Sequence, residues 1–151
     1  MGPVEDESID ALALERQVCF ALSVASRSVV AAYRPVLEPL GLTHPQYLVM
    51  LALWENAPLS VKELSSLLQL DPGTLSPLIK RLEASGYVER KRKPEDERTL
   101  AIAPTERGRI LRQDALQVPV EMMRRLGMSR EELTLLHQLM NRLIVAAKAT
   151  R

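Results

Sequence analysis

Aromatic residues are scarce in this 151-residue chain: Phe20, Tyr33, Tyr47, Trp54 and Tyr87 are all it has. A surface that stacks the bases of single-stranded nucleic acid draws on several exposed aromatics, and these five leave little to build one. Cysteine is scarcer still. Cys19 stands alone, so no intrachain disulfide can form. With His44 and His137 it makes three soft ligands, which excludes a structural zinc site of four Cys or His. The six glycines form neither a phosphate-cradling loop nor a dinucleotide fingerprint, and no Gly-x-Ser-x-Gly elbow occurs. The longest apolar run, Leu48 to Trp54, has seven residues, far from the roughly 20 of a membrane span. An excess of one charge is also missing. Lys plus Arg is 20, Asp plus Glu is 19, and the net charge of +1 argues against a histone-like protein while leaving room for local basic patches. The first ten residues carry four acids and no base, the reverse of a secretory signal, and Asp6 stands where a myristoylation signal has Ser or Thr. The expectation is a cytoplasmic chain without membrane association, with a mobile acidic N-terminus over residues 1–9.

What is present reads as a globular, mainly helical chain, 46% apolar and 26% charged. A helical pattern runs from about Ile9 to Glu38, through Leu12, Phe20, Leu22, Val24, Val29, Val30 and Leu37, until Pro35, Pro39 and Gly41 break it. Thr43-His44-Pro45-Gln46 is a capping box and opens a buried helix ending near Asn56. Ser60-Val61-Lys62-Glu63 is a second box, opening a short helix through Leu64, Leu67 and Leu68. Asp71 is the N-cap of the next, with Pro72 at the first helical position, where its missing N–H costs nothing. Leu75, Leu78, Ile79 and Leu82 follow at helical spacing, and Gly86 ends it. Tyr87 to Arg92 and Arg98 to Ala103 read as a β-hairpin with a charged tip over Lys93 to Glu97. A long helix should start near Thr105 and kink at Pro119. Ser129-Arg130-Glu131-Glu132 opens a last helix with Leu133, Leu136, Leu139, Met140, Leu143, Ile144 and Ala147 on one face. The spacing therefore predicts a mainly α fold with a small β-wing. Residues 43–103 form a winged helix-turn-helix, and residues 10–42 and 104–151 a helical dimerisation region.

In a winged helix-turn-helix the second helix enters the major groove. Here its exposed positions are Asp71, Pro72, Thr74, Ser76, Lys80 and Arg81. Ser and Thr reach bases or phosphates, while Lys and Arg suit phosphates. The hairpin adds Arg90, Lys91, Arg92, Lys93 and Arg98, with Arg98 placed beside the tip to enter a narrow minor groove. The competing reading is a solvated hairpin, since Glu89, Glu95, Asp96 and Glu97 nearly cancel those bases. Cys19, flanked by Val18 and Phe20, reads from pattern alone as a small packing residue. A reactive role needs a stabilised thiolate, to which Arg16 could contribute. Cys19 and Tyr33 are 14 residues apart, so one straight helix would separate them by about 21 Å. Contact between them requires a break in the segment or a partner chain crossed by a twofold.

The stretches Gln17-Val18-Cys19-Phe20-Ala21-Leu22, Tyr33-Arg34-Pro35, Pro45-Gln46-Tyr47, Asp71-Pro72-Gly73-Thr74-Leu75 and Asp96-Glu97-Arg98 resemble the organic-hydroperoxide-sensing repressors of the MarR type, over nearly all of residues 10–150. The resemblance implies a homodimeric repressor on a pseudo-palindromic double-stranded DNA operator. It implies no enzyme activity and no cofactor. In that family an early cysteine, matched by Cys19, is oxidised by an organic hydroperoxide, and the protein then releases DNA. Tyr33 matches one of two tyrosines that hydrogen-bond the cysteine. The second falls at position 44, where this chain has His44, a neutral donor at a helix N-terminus. With no second cysteine, the oxidised Cys19 must react with a small thiol or another protein's thiol, or overoxidise. The alternatives are a MarR-type repressor released by a small aromatic or phenolic ligand, with Cys19 structural, and a thiol peroxidase.

Overall fold

The computed structural model describes residues 11–14, 17–93 and 95–150, and all but the side chain of Glu97 among them. The acidic segment 1–9, Arg16 and the hairpin residue Pro94 lie outside the described residues. Among the described residues seven complete α-helices and one hairpin follow in order: α1 (Val18–Leu37), a 3-10 turn (Glu38–Leu40), α2 (His44–Asn56), α3 (Val61–Leu68), α4 (Pro72–Ala84), β1 (Val88–Lys93), β2 (Asp96–Pro104), α5 (Glu106–Ala115), α6 (Gln117–Leu126) and α7 (Arg130–Ala149).

Three helices start on reciprocal capping boxes, as their sequences require. The Thr43 hydroxyl accepts the Gln46 N–H and the Gln46 side chain accepts the Thr43 N–H. Ser60 and Glu63 do the same at α3, and Ser129 and Glu132 at α7. Asp71 caps α4 by accepting the Thr74 N–H, with Pro72 at the first turn. Between α3 and α4, Gln69 takes a left-handed conformation at φ 55° and turns the chain.

The core forms where these helices meet the base of the hairpin. Leu37, Val49, Met50, Leu53, Leu64, Leu75, Ile79, Leu82 and Ile102 are buried to 1% exposure or less. Each such side chain contributes about 1.5–3 kcal/mol on leaving water. The strands pair antiparallel from Val88↔Pro104 to Arg92↔Leu100, and then shift register before Lys93↔Asp96. Leu59 bonds both ways with Ile102, at 3.0 and 2.7 Å, and adds a third, single-residue rung to the hairpin.

Three expectations are corrected. The helical pattern is interrupted before α1, which begins at Val18 behind its N-cap Gln17, and the Gln17 side-chain amide donates to the carbonyls of Ala11 and Ala13; the expected start at Ile9 lies outside the described residues. The strands run further into the charged segment than Arg92 and Arg98, because cross-strand pairing continues to Lys93 and Asp96. The helix after the hairpin is not kinked but divided: α5 and α6 meet at Leu116. The cause is Pro119, whose ring conflicts with the carbonyl four residues earlier and places the break before the proline itself. Three helices therefore follow the hairpin rather than two.

The burial pattern leaves two elements uncovered. Helix α7 buries none of its residues; Leu136, Leu139, Leu143 and Ile144 are 40–49% exposed. Helix α1 buries only Val36 and Leu37, near the end that packs on α2 and α6, while Val18, Phe20, Val24 and Val30 stay exposed.

Candidate functional site

The predicted DNA-facing side chains are carried by α4, with its N-cap Asp71, and by the hairpin. Leu75, Leu78, Ile79 and Leu82 bury the inner face of α4. Pro72, Thr74, Lys80 and Arg81 lie on its exposed side, and Ser76 is half-buried. Asp71 and Thr74 are engaged with each other: the Asp71 carboxylate accepts the Thr74 N–H at 3.2 Å and its hydroxyl at 2.5 Å. Among the described residues Lys80 and Arg81 have no ion pair.

The wing bases are less uniform than the sequence suggests. Arg90 Nε donates to Glu83 Oε1 of α4 at 2.9 Å. Lys91 pairs with Glu89 at 3.0 Å. Lys93 pairs with Glu63 of α3. Arg92 is exposed on β1, and Arg98, exposed on β2, has no ion pair among the described residues. The backbone N–H of Arg98 donates to Asp96 Oδ1 at 3.0 Å, and the Thr99 hydroxyl donates to Asp96 Oδ2 at 2.9 Å. The pairing of the wing to α3 and α4 escapes sequence reading, because Glu63 reads completely as a capping residue and its partner lies 30 positions away.

Where α1 meets the start of α2, Tyr33 and His44 come together. Their ring centroids are 4.8 Å apart, and the Tyr47 ring, one turn further along α2, stands 5.9 Å from Tyr33. Helix α1 carries Tyr33, while His44 occupies the first position of α2 behind its Thr43 cap. Burial pushes the Tyr33 phenol up and holds His44 below the ordinary imidazole value. The positive end of α2 acts in the same direction on His44. Both groups are therefore neutral near pH 7 and carry a proton to donate. Tyr47 is 4% exposed and belongs to the core.

Cys19 is not among them. Its thiol is free and exposed in the first turn of α1. The helix is unbroken from Val18 to Leu37, so 14 residues of rise set Cys19 about 21 Å from Tyr33 along the axis. One chain brings Tyr33 to His44 and holds Cys19 away from both.

A cleft of about 600 Å³ opens between α2, the hairpin and α5, lined by Leu53, Trp54, Pro58, Lys91, Arg109 and Arg112 among others. No group of three His, Cys, Asp or Glu side chains placed to hold a metal occurs among the described residues. No helix among them is long and apolar enough to cross a membrane.

Residues 42–100 match the model of the MarR family. The chain is 42% identical over 126 residues to the organic hydroperoxide resistance transcriptional regulator of Bacillus subtilis (strain 168), covering 83% of this chain and 84% of that protein. Its fold is similar to that of AbfR, a Staphylococcus epidermidis protein. With reduced AbfR bound to DNA it shares a TM-score of 0.74 and 30% identity, over 95% of this chain and 99% of that one. It is also similar to CouR from Rhodococcus jostii RHA1 bound to p-coumaroyl-CoA, at a TM-score of 0.74 and 31% identity, over 87% and 92% of the two chains.

Proposed function

Because the chain belongs to the MarR family of transcriptional regulators, we propose that it is a homodimeric DNA-binding repressor that senses organic hydroperoxides by oxidation of Cys19 and then releases its operator. It is a regulator and not an enzyme. The observation that carries the sensing role is the separation of Cys19 from the Tyr33–His44 pair on one unbroken helix. An exposed thiol sits among uncovered apolar residues, Val18 and Phe20, at an end of α1 that a second chain would cover. The apolar face of α7 is uncovered in the same way. A twofold that crosses the two copies of α1 buries these faces and brings Cys19 of each chain to Tyr33 and His44 of the other.

In the reduced state the Cys19 thiolate accepts hydrogen bonds from the neutral Tyr33 phenol and His44 imidazole. Thiolate sulfur attacks the terminal oxygen of the hydroperoxide; the O–O bond breaks, Cys19 becomes sulfenic acid, and the alkoxide takes a proton from water and leaves as an alcohol. A sulfenic acid is a poorer acceptor than a thiolate, so the interface loses the bonds that fixed it. A small thiol then condenses with the sulfenic acid, releasing water and leaving a mixed disulfide. A repressor of this kind works where its DNA is, and the proposed location is the cytoplasm.

On DNA each lobe sets α4 in a major groove, and half-sites lie about one turn apart, roughly 34 Å. Pro72, Thr74 and Ser76 face the bases, Lys80, Arg81 and Arg92 face phosphates, and Arg98 enters the minor groove. Binding of wild type and Cys19→Ser to a palindromic operator, each with and without cumene hydroperoxide and a small thiol, tests the reading. Release of wild type alone is expected. Release of the Ser variant by hydroperoxide overturns it.

A second reading draws on the cleft beside Trp54 and Arg112 and on the similarity to ligand-bound CouR. There a small aromatic ligand releases the DNA and Cys19 only packs in the dimer. Release of Cys19→Ser by such a ligand favours that reading.

A further inference from the structure

We propose that Glu63 is a positioning residue for DNA recognition: it indexes the wing tip, and with it Arg98, to the helix-turn-helix. The inference rests on the DNA-binding reading above. Glu63 closes the cap of α3 by accepting the Ser60 N–H at 3.3 Å, and the same carboxylate oxygen receives the Lys93 ammonium. Lys93 stands at the end of β1, where the ladder shifts register after Arg92. Such irregularities re-aim a side chain, and here Lys93 is found on Glu63. In register with Lys93 is Asp96, whose carboxylate holds the backbone N–H of Arg98 and the hydroxyl of Thr99. A relay of Glu63, Lys93, Asp96 and Arg98 thus runs from the first turn of α3 to the residue beside the wing tip. Both carboxylates are kept ionised by it. The Lys93 hydrogen bond draws Glu63 below its ordinary range, and the Arg98 N–H does the same chiefly for Asp96.

The arrangement answers a geometric need. A side chain that enters the minor groove must stand at a fixed offset from the helix in the neighbouring major groove. A two-stranded hairpin is marginally stable by itself, so its tip needs a tie. Glu83 of α4 ties the base of the hairpin through Arg90, and Glu63 of α3 ties the tip through Lys93. Lys93 is then a strut rather than a phosphate contact. Arg98, without an ion pair among the described residues, is left to the DNA.

The test uses the full-length protein and a duplex that the wild type selects from a random-sequence pool, together with the same duplex carrying G·C in place of the A·T pairs outside its half-sites. Glu63→Gln keeps the cap, because an amide oxygen still accepts the Ser60 N–H, and loses the charge that holds Lys93. Lys93→Gln leaves the cap untouched and keeps the test open should Glu63→Gln lower stability. Each variant is expected to bind the A·T-flanked duplex about two- to fivefold more weakly, a loss of the order expected for an exposed pair, and to bind the G·C-flanked duplex as before. The double variant should lose no more than either single one, and Arg98→Ala should cost less in Glu63→Gln than in wild type. The salt dependence of Lys93→Gln should match wild type. A slope reduced by about 0.9 makes Lys93 a phosphate contact and overturns the proposal. Equal weakening on both duplexes, or no change on either, also overturns it, alone. A wild-type protein that selects no duplex overturns the DNA-binding reading and this inference with it.

Discussion

The indole N–H of Trp54 donates to the backbone carbonyl of Gly108 at 2.9 Å. It links the end of α2 to the first turn of α5. At Gly108 a Cβ would lie 2.1 Å from the carbonyl oxygen of Tyr87, so α5 approaches the base of the hairpin as closely as a helix backbone can. The same turn is capped by Thr105, whose hydroxyl accepts the Gly108 N–H and donates to the carbonyl of Gly86. The helix-turn-helix with its hairpin and the helices that follow are therefore joined stiffly.

Gly108→Ala should lower stability by roughly 2–3 kcal/mol, because backbone and not a flexible side chain must move. A urea unfolding curve measures it. A variant within a few tenths of a kcal/mol of wild type would show that the junction gives way.

His44 sets an acid limit. Its folded-state value is lowered by burial, so the unfolded chain takes up the proton first as pH falls through about 6.5. The stability contributed by the neutral ring is present above that pH and lost as pH falls through the folded value. The carboxylates drawn down by their partners, Glu63, Asp96 and Glu121, act only at lower pH. Melting temperature should therefore drop between about pH 7.5 and 5.5 in wild type and drop less in His44→Tyr. Equal drops would remove His44 as the cause.

Glutamate at both Leu139 and Leu143 places charge on the uncovered face of α7. Light scattering should give a monomer. Helix α7 buries nothing in its own chain, so circular dichroism should still report a folded protein. Operator affinity should fall toward the non-specific level, roughly 10³-fold weaker. A variant that stays dimeric would place the contact elsewhere.

Lys80→Gln and Arg81→Gln should each reduce the slope of log affinity against log salt by about 0.9, the share of one phosphate. Arg98→Ala should weaken binding and relax the preference for A·T-rich flanks. Unchanged affinity and preference in Arg98→Ala would remove the wing from the interface.

The starts of α2, α3 and α7 were legible because capping is local. Thr43 and Gln46, Ser60 and Glu63, and Ser129 and Glu132 each sit three residues apart, and their chemistry needs nothing else. The distance between Cys19 and Tyr33 followed from helix rise once the segment was read as a helix. Illegible were the features that join distant residues. The Leu59↔Ile102 rung, the extra pairing at the wing tip and the Glu63–Lys93 contact depend on where the hairpin lands, which no local pattern encodes. Pro119 marked a disturbance in the right place, but its steric reach is backward, so the division fell at Leu116.

The unbroken α1 has a genetic corollary. If each sensor is built from Cys19 of one chain and Tyr33 of the other, a dimer holds two sensors that share no residue. A Cys19→Ser chain and a Tyr33→Phe chain, each defective by itself, then form mixed dimers in which one sensor carries both defects and the other carries none. Co-expression of the two alleles restores a peroxide response that neither allele supports alone.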